Sequence, residues 1–372
     1  MEYPRQITTL QTAAVLISTI IGVGVLSLPL FAVRSADAGA PLVTLIGIAI
    51  ALAGLLLLAK LQLRFKRQFF INYSEQIIGK WPARAFGVLV IGFFALLTSF
   101  TAREFGEVVI TSVLKQTPLE VTVMVMLMLA AISTRNDIST FAYVHHFYLP
   151  VLVGPVLLII ALSLKNADVI NLLPVWGNKP GGMLTGAITV AGLFQGSFIL
   201  TTVMPAMRHP DKAVKSIFWA IMIAGGIYLL IVIAVVAVFG NEEVKNLLWP
   251  TLELAKTTSL PANILERLDA AFLAVWVTAV FTTLFATYYL TAHALSRLLG
   301  LKDHRLFSSA LLPFVFVMAM LPQNIMQMYQ IIQVVLRYGL LLTIGYPLLL
   351  LIVAVIRKKK GNDHEKPMEP SS

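Results

Sequence analysis

Ten stretches of this chain run for 14 to 31 residues without one aspartate, glutamate, lysine or arginine: 6–33, 39–59, 85–102, 121–134, 138–164, 181–207, 216–241, 270–296, 306–336 and 338–356. About 20 apolar residues suffice for a helix to cross the hydrocarbon of a bilayer. In lipid every backbone polar group must be satisfied within the protein, so spans of this kind fold as helices. The stretch at 121–134 is short, and its helix is predicted to begin near Leu119. The stretch at 306–336 contains "LPQN", so one helix is predicted to end near Leu321 and the last to begin near Val334. The reading is an all-α polytopic membrane protein: ten transmembrane helices in one domain over 1–356, then a basic, disordered tail over 357–372. A mean hydropathy of +0.85, with 58% hydrophobic and 12% charged residues, is far outside the range of soluble domains of this length. The first apolar stretch is too long for a signal-peptide core and lacks a small-residue cleavage site, so it is expected to stay as the first span.

The formal charge of +10 could point to nucleic acid, but its placement points elsewhere. With the N-terminus inside, the inner segments carry 19 Lys and Arg residues and the outer segments 7, with Arg103 and Arg337 inside spans. That asymmetry follows the positive-inside rule and puts both termini in the cytoplasm, with no nucleic-acid partner. The chain has no cysteine, which excludes disulfides and thiolate metal sites. No phosphate-binding loop, HExxH or clustered metal ligands occur either, so no cofactor is expected and an enzyme is not.

Ten helices divide into five and five, and an odd number per half forces the halves into opposite orientations. The halves are predicted at about 6–165 and 181–356. The first span of each carries mid-span glycines, Gly22 and Gly24 in "IIGVGVLSLP" and Gly192 and Gly196 in "AGLFQGSF", followed by Pro29 and Pro205. A long connection follows the second span of each half, at 60–84 and 241–266. In the former, Leu61, Phe65 and Phe69 share one face among basic residues, as expected of a helix lying on the membrane surface. Small residues in membrane helices often serve close packing. Their recurrence at matching places in two inverted halves favours interrupted helices around a midplane binding site. A break in the first span frees amides around Gly22, Val23, Gly24, Val25 and Leu26, at the positive end of the outer half-helix, for a carboxylate. A break at Gly192, Leu193, Phe194, Gln195, Gly196 and Ser197 frees carbonyls for an ammonium. Together they would hold the backbone of an amino acid.

"ITTLQTAAVLISTIIGVGVLSLPLFAVRSADAGAPLV", followed in order by "NYSEQIIGKW", "TPLEV", "NLLPVWG" and "LFQGSFILTTVMP", resembles the integral-membrane B subunits of spore germinant receptors. The resemblance covers nearly the whole chain. It implies the amino acid–polyamine–organocation superfamily, with ten helices in a LeuT-type five-plus-five inverted repeat. It implies a receptor in the spore inner membrane that works with an A subunit and a lipoprotein C subunit, and triggers germination on binding an amino acid or similar nutrient. It also places the glycines of "GVGVLSLP" and the stretch 192–197 on the superfamily's substrate site. The fifth span lacks the lysine that proton-coupled members use and has His145 and His146 toward its inner part instead.

Other polar residues carry two readings each. Arg103 and Glu107, four apart on the third span, either pair on the helix or snorkel to the outer interface. Glu104 points elsewhere and is the candidate for an outer vestibule. Thr283, Thr287 and Thr291 share one face of the eighth span, as a polar wall beside the site or as hydroxyls bonded to their own helix. His145 and His146 either titrate in a relay or only cap and hydrogen-bond. Arg337, near the expected start of the last span, reads as an interface anchor. Three rival functions use the same features: a secondary amino-acid transporter, a water or ion conduit, and an intramembrane serine protease with Ser197 as nucleophile and His293 as base. The last needs the two side chains within hydrogen-bond reach.

Overall fold

The computed structural model describes residues 6–177, 180–257, 268–301 and 303–361. Parts of the expected outer connections (178–179 and 258–266) and most of the expected tail (362–372) lie outside the described residues. The described backbone is built of helices and turns, with one isolated parallel bridge between Ile7 and Met207. In the first half of the chain the helices are α1 (Thr9–Ile20), α2 (Gly24–Ala36), α3 (Ala40–Arg64), α4 (Phe70–Ile78), α5 (Lys80–Ser112), α6 (Leu119–Ser133) and α7 (Ile138–Ser163). The second half has α8 (Met183–Gly192), α9 (Leu200–Val203), α10 (Ala213–Val244), α11 (Pro250–Thr257), α12 (Leu268–Leu298), α13 (Arg305–Ala310), α14 (Leu312–Met320), α15 (Ile325–Leu340) and α16 (Tyr346–Ile356).

Among the described residues six helical stretches are long and apolar enough to cross a membrane: Gly24–Arg64, Lys80–Ser112, Ile138–Asn166, Pro210–Val244, Ala270–Leu298 and Ile325–Ile356. Met183–Gly192 and Gln195–Ala206 form a broken pair bent by 42°, and Thr9–Ile20, Leu119–Ser133 and Arg305–Met320 are shorter apolar helices. Leu129, Ile132, Phe147, Leu306, Phe314 and Ile356 are exposed on the outside, an apolar surface suited to lipid. The chain is a multi-pass membrane protein. The order of elements is the same in both halves: a broken span, a long helix (α3, α10), a short one (α4, α11), then further spans.

One end of the bundle brings together the segments around Ile7, Arg64, Ala206 and Gly361. Ile7 donates its amide to Ala206 O at 3.1 Å and accepts from the Arg208 amide at 2.9 Å, while the Gly361 amide reaches Arg64 O at 2.9 Å. Lys66 pairs with Asp211 there at 3.0 Å. At the opposite end Lys245 bridges Asp37 at 2.7 Å and Glu242 at 2.6 Å. The Asp37 carboxylate first, then Glu242, holds the Lys245 ammonium above the usual lysine range.

Three sequence expectations change here. Leu61, Phe65 and Phe69 do not share a surface helix: α3 carries Leu61 on through Arg64, the chain turns, and α4 starts at Phe70. All three are buried, with Phe65 stacked on Tyr73 and Phe69 edge-on to His293. Their apolar face serves the protein core, so it is not free to lie in lipid. The last span begins at Ile325, not near Val334, because the Asn324 side chain accepts from the Gln327 amide and caps the helix. Arg337 is then twelve residues in, about 18 Å along the axis. Its Nε donates to Thr189 Oγ1 at 2.8 Å, so it binds a neighbouring helix and is no anchor at a helix start.

Candidate functional site

The glycines of the first span break it. α1 stops at Ile20, residues 21–23 turn, and α2 starts at Gly24. The Val25 amide bonds Gly22 O at 3.3 Å and the Leu26 amide bonds Val23 O at 3.0 Å, so both are used within the turn. The Gly22 amide faces the Tyr228 hydroxyl, and among the described residues the amides of Val23 and Gly24 donate to no group, which narrows the expected anion site to these two.

The carbonyl end of α1 is closed by side chains from α10 and α12. Thr282 Oγ1 is shared between Ala279 O of its own helix at 2.9 Å and Ser18 O at 3.1 Å, and Thr283 Oγ1 donates to Thr19 O at 3.1 Å. The Tyr228 hydroxyl donates to Ile20 O. Three carbonyls that lose their helical partners at the break are thereby satisfied inside the protein, as an apolar surrounding demands. The glycines make these approaches possible. A Cβ on Gly22 would fall onto the Thr283 hydroxyl, and one on Gly24 would stand 3.2 Å from the Tyr228 hydroxyl and 3.3 Å from Leu193.

The second break lies at residues 193–194, between α8 and the 3-10 segment Gln195–Ile199. Gly192 does not face α2: a Cβ there would press on Leu336 of α15, whereas one on Gly196 would press on Thr19 of α1. Phe194 lies edge-on to Tyr228, with ring centres 5.3 Å apart. Phe194 O accepts from the Ser197 amide at 3.0 Å and from Ser197 Oγ at 2.5 Å. Gln195 Nε2 donates to Leu336 O at 2.5 Å, tying the break to α15 just before its π-helical turn Leu341–Gly345. A small cavity lies beyond, lined by Gly54, Leu55, Phe194, Gln195, Ser197 and Thr343.

Of the three threonines expected to form a polar wall, Thr283 reaches the break and Thr287 and Thr291 do not. Thr287 donates to Thr283 O at 3.1 Å and Thr291 to Thr287 O at 2.7 Å, so both hydroxyls are spent on their own helix. They lie about 6 and 12 Å farther along α12, toward the end where Ile7 and Gly361 are bonded. His145 is fully buried at the level of the break, with Nδ1 2.8 Å from Phe141 O and Nε2 3.1 Å from Thr282 O. It is deeper than an end-capping histidine. Ser197 and His293 do not bond each other: the former serves Phe194 O, and the latter packs on Phe69, Tyr289 and His304.

Glu104 does not line an open vestibule. It is 2% exposed, and the Tyr329 hydroxyl donates to its Oε1 at 3.0 Å. Trp249 Nε1 donates to the Tyr329 oxygen at 2.9 Å, the Phe31 and Tyr329 rings meet edge to face, and the Ser27 hydroxyl faces the carboxyl. The vestibule expectation required water at Glu104, and hydroxyls from α2 and α15 fill that role. With Thr291 on the far side of the break, the two expected ends of a polar path are not contiguous. Ser27, Tyr228, Trp249, Thr282 and Tyr329 all escaped sequence reasoning as site residues. The available signal was chemical: a buried carboxyl and three orphaned carbonyls each need a hydroxyl partner.

Residues 6–328 match the family described as spore germination protein. Spore germination protein YndE of Bacillus subtilis (strain 168) is 27% identical over 356 residues, covering 95% of this chain and 98% of that protein. Spore germination protein A2 of the same organism is 27% identical over 307 residues, covering 81% and 83%. Spore germination protein GerLB of Bacillus cereus is 23% identical over 349 residues, covering 93% of each. Among solved structures, MhsT in complex with L-phenylalanine matches with a TM-score of 0.72 at 13% identity, over 96% of this chain and 91% of that one. A Na+-coupled sialic acid symporter in its substrate-bound outward-open state matches with a TM-score of 0.67 at 10% identity, over 93% and 78%. The fold is therefore the LeuT-type bundle of permeases, and the chain belongs to the spore germination protein family.

Proposed function

We propose that this protein is the nutrient-sensing membrane subunit of a spore germinant receptor, binding an amino acid at the level of the two helix breaks. The observation that carries the reading is the meeting of those breaks inside one bundle. Residues 21–23 and 193–194 are joined through Tyr228, Leu193 and Phe194, with the Val23 and Gly24 amides left for a carboxylate. That MhsT is solved with L-phenylalanine supports an amino acid as ligand. The proposal includes ten spans in two inverted halves, 6–165 and 181–356, with both termini cytoplasmic in the spore inner membrane. It also includes an A subunit and a lipoprotein C subunit as partners that read the conformational change. A receptor needs only a ligand that prefers one of two conformations.

A second reading, an amino-acid permease, draws on the symporter among the fold neighbours and on the L-phenylalanine bound to MhsT. The first test is genetic. Spores with and without this gene are screened against single amino acids and sugars, and the responding nutrient is then tried on spores carrying Gly24→Val. The expected result is a response to at least one amino acid that disappears with the gene and in the variant. A Gly24→Val protein made at normal levels with a normal response removes the breaks from the mechanism.

A further inference from the structure

Glu104 is a buried acid with no base. Its neighbour in sequence, Arg103, is committed elsewhere, with Nη2 2.9 Å from Glu107 and Nη1 donating to Ala319 O at 3.4 Å. Among the described residues no lysine, arginine or histidine pairs with Glu104; the groups that reach it are the hydroxyls of Tyr329 and Ser27. Both are fixed. Tyr329 is held by Trp249 and Phe31, and Ser27 lies one turn beyond Gly24 on α2. A carboxylate taken from water into such a site loses several kcal/mol of hydration, and hydroxyl partners return only part of it. The positive end of α2 adds a further fraction. Such a carboxyl either keeps its proton or pairs with a cation brought from outside the chain.

The location decides which cation. Glu104 meets α2 on the face that carries Gly24 and Ser27, the same face on which Tyr228 and Leu193 approach Gly24. The unused amides of Val23 and Gly24 are at the start of that helix. An anion site and an anionic side chain are thus neighbours. A ligand bearing a carboxylate alone would bring like charge toward Glu104, whereas a zwitterion satisfies both: its carboxylate takes the amides and its ammonium takes Glu104. The carbonyls first expected to hold the ammonium are in part occupied, since Phe194 O already accepts twice from Ser197.

We propose that Glu104 is the counter-charge for the protonated amine of the germinant, so that the site selects ligands with a free amino group and rejects N-acylated ones. The inference rests on the amino-acid-sensing reading and deepens it. Removing one member of a buried charge pair costs about 2–5 kcal/mol, or roughly 30-fold to several thousandfold in affinity.

The test uses the purified full-length protein in nanodiscs and titrates the twenty amino acids by calorimetry. An amino acid that binds is then compared with its N-acetyl and its carboxamide derivatives, with methylammonium, and with sodium and potassium chloride. Wild type, Glu104→Gln, Glu104→Asp and the exposed control Glu120→Gln are run in parallel, with melting temperatures recorded for each. The expected result is that N-acetylation weakens binding to wild type by about 100-fold or more, while the carboxamide keeps the amine contribution. Glu104→Gln should lose a similar factor for the free amino acid and no longer separate it from its N-acetyl form. Glu104→Asp, which keeps the charge, should still separate them and guards against a glutamine variant that fails to fold. Undiminished affinity in a folded Glu104→Gln, or equal loss for free and acetylated ligand, overturns the proposal. So does sodium or potassium binding at Glu104 that amines do not displace. Absence of binding by every amino acid to wild type would instead defeat the sensing reading itself, and this inference with it.

Discussion

Glu107→Leu is expected to destabilise the protein by about 3–5 kcal/mol, while Arg103→Leu/Glu107→Leu regains most of that loss. The two side chains are 7% and 14% exposed and meet at 2.9 Å one turn apart on α5. Truncating one partner strands the other charge away from water, whereas replacing both with apolar groups removes the desolvation cost along with the attraction. Arg103 is the more demanding orphan, because its guanidinium otherwise keeps only Ala319 O and the Met320 sulfur. Equilibrium unfolding of the purified variants in mixed detergent measures all three energies. Had the pair reached the interface as free snorkelling charges, each single substitution would change stability by no more than about 0.5 kcal/mol. Losses of that size in both single variants would contradict the buried arrangement.

A second large effect is expected at Gly22. A Cβ there coincides with the Thr283 hydroxyl, which itself satisfies Thr19 O, so any side chain must displace the contact that closes the end of α1. Overpacking of this kind costs about 1–3 kcal/mol, and the lost hydrogen bond adds to it. Gly22→Val should therefore lower the melting temperature and reduce germinant response at least roughly tenfold, as 1.4 kcal/mol of lost coupling implies. Gly22→Ala combined with Thr283→Gly should recover stability relative to Gly22→Ala alone, since the second change removes the three atoms nearest the new methyl. If the double variant is no better than the sum of the singles, the break is not held by this contact.

The same residues show how far sequence reasoning reaches. Glycine and proline in an apolar run betray a broken helix because lipid offers no other partner for freed backbone groups, and the breaks at 21–23 and 193–194 fall where Gly22, Gly24, Gly192 and Gly196 announce them. The direction each glycine faces was not legible. Gly192 faces α15 and Gly196 faces α1, contacts set by helices far away in sequence. Tyr228 and Tyr329, which close the site, are 208 and 225 residues from the groups they bond, a separation without periodic signature. The start of α15 was missed for a different reason. Gln327, Gln330 and Gln333 read as a loop beside "LPQN", yet they form one stripe of a helix capped by Asn324. Thr282 is not legible as a contact to α1 because Thr287 and Thr291, and Thr282 in part, follow the ordinary habit of bonding their own helix, and tertiary packing alone brings Thr282 and Thr283 to α1.

Whether the protein senses its ligand or carries it is decided by uptake. The purified chain is reconstituted in liposomes with an imposed proton or sodium gradient, and the radiolabelled amino acid that triggers spores is followed. Saturable binding, weakened in Gly24→Val, with no accumulation above the external concentration, is the result the receptor account predicts. Gradient-driven accumulation by this chain alone, lost in Gly24→Val, would contradict it and make the protein a transporter.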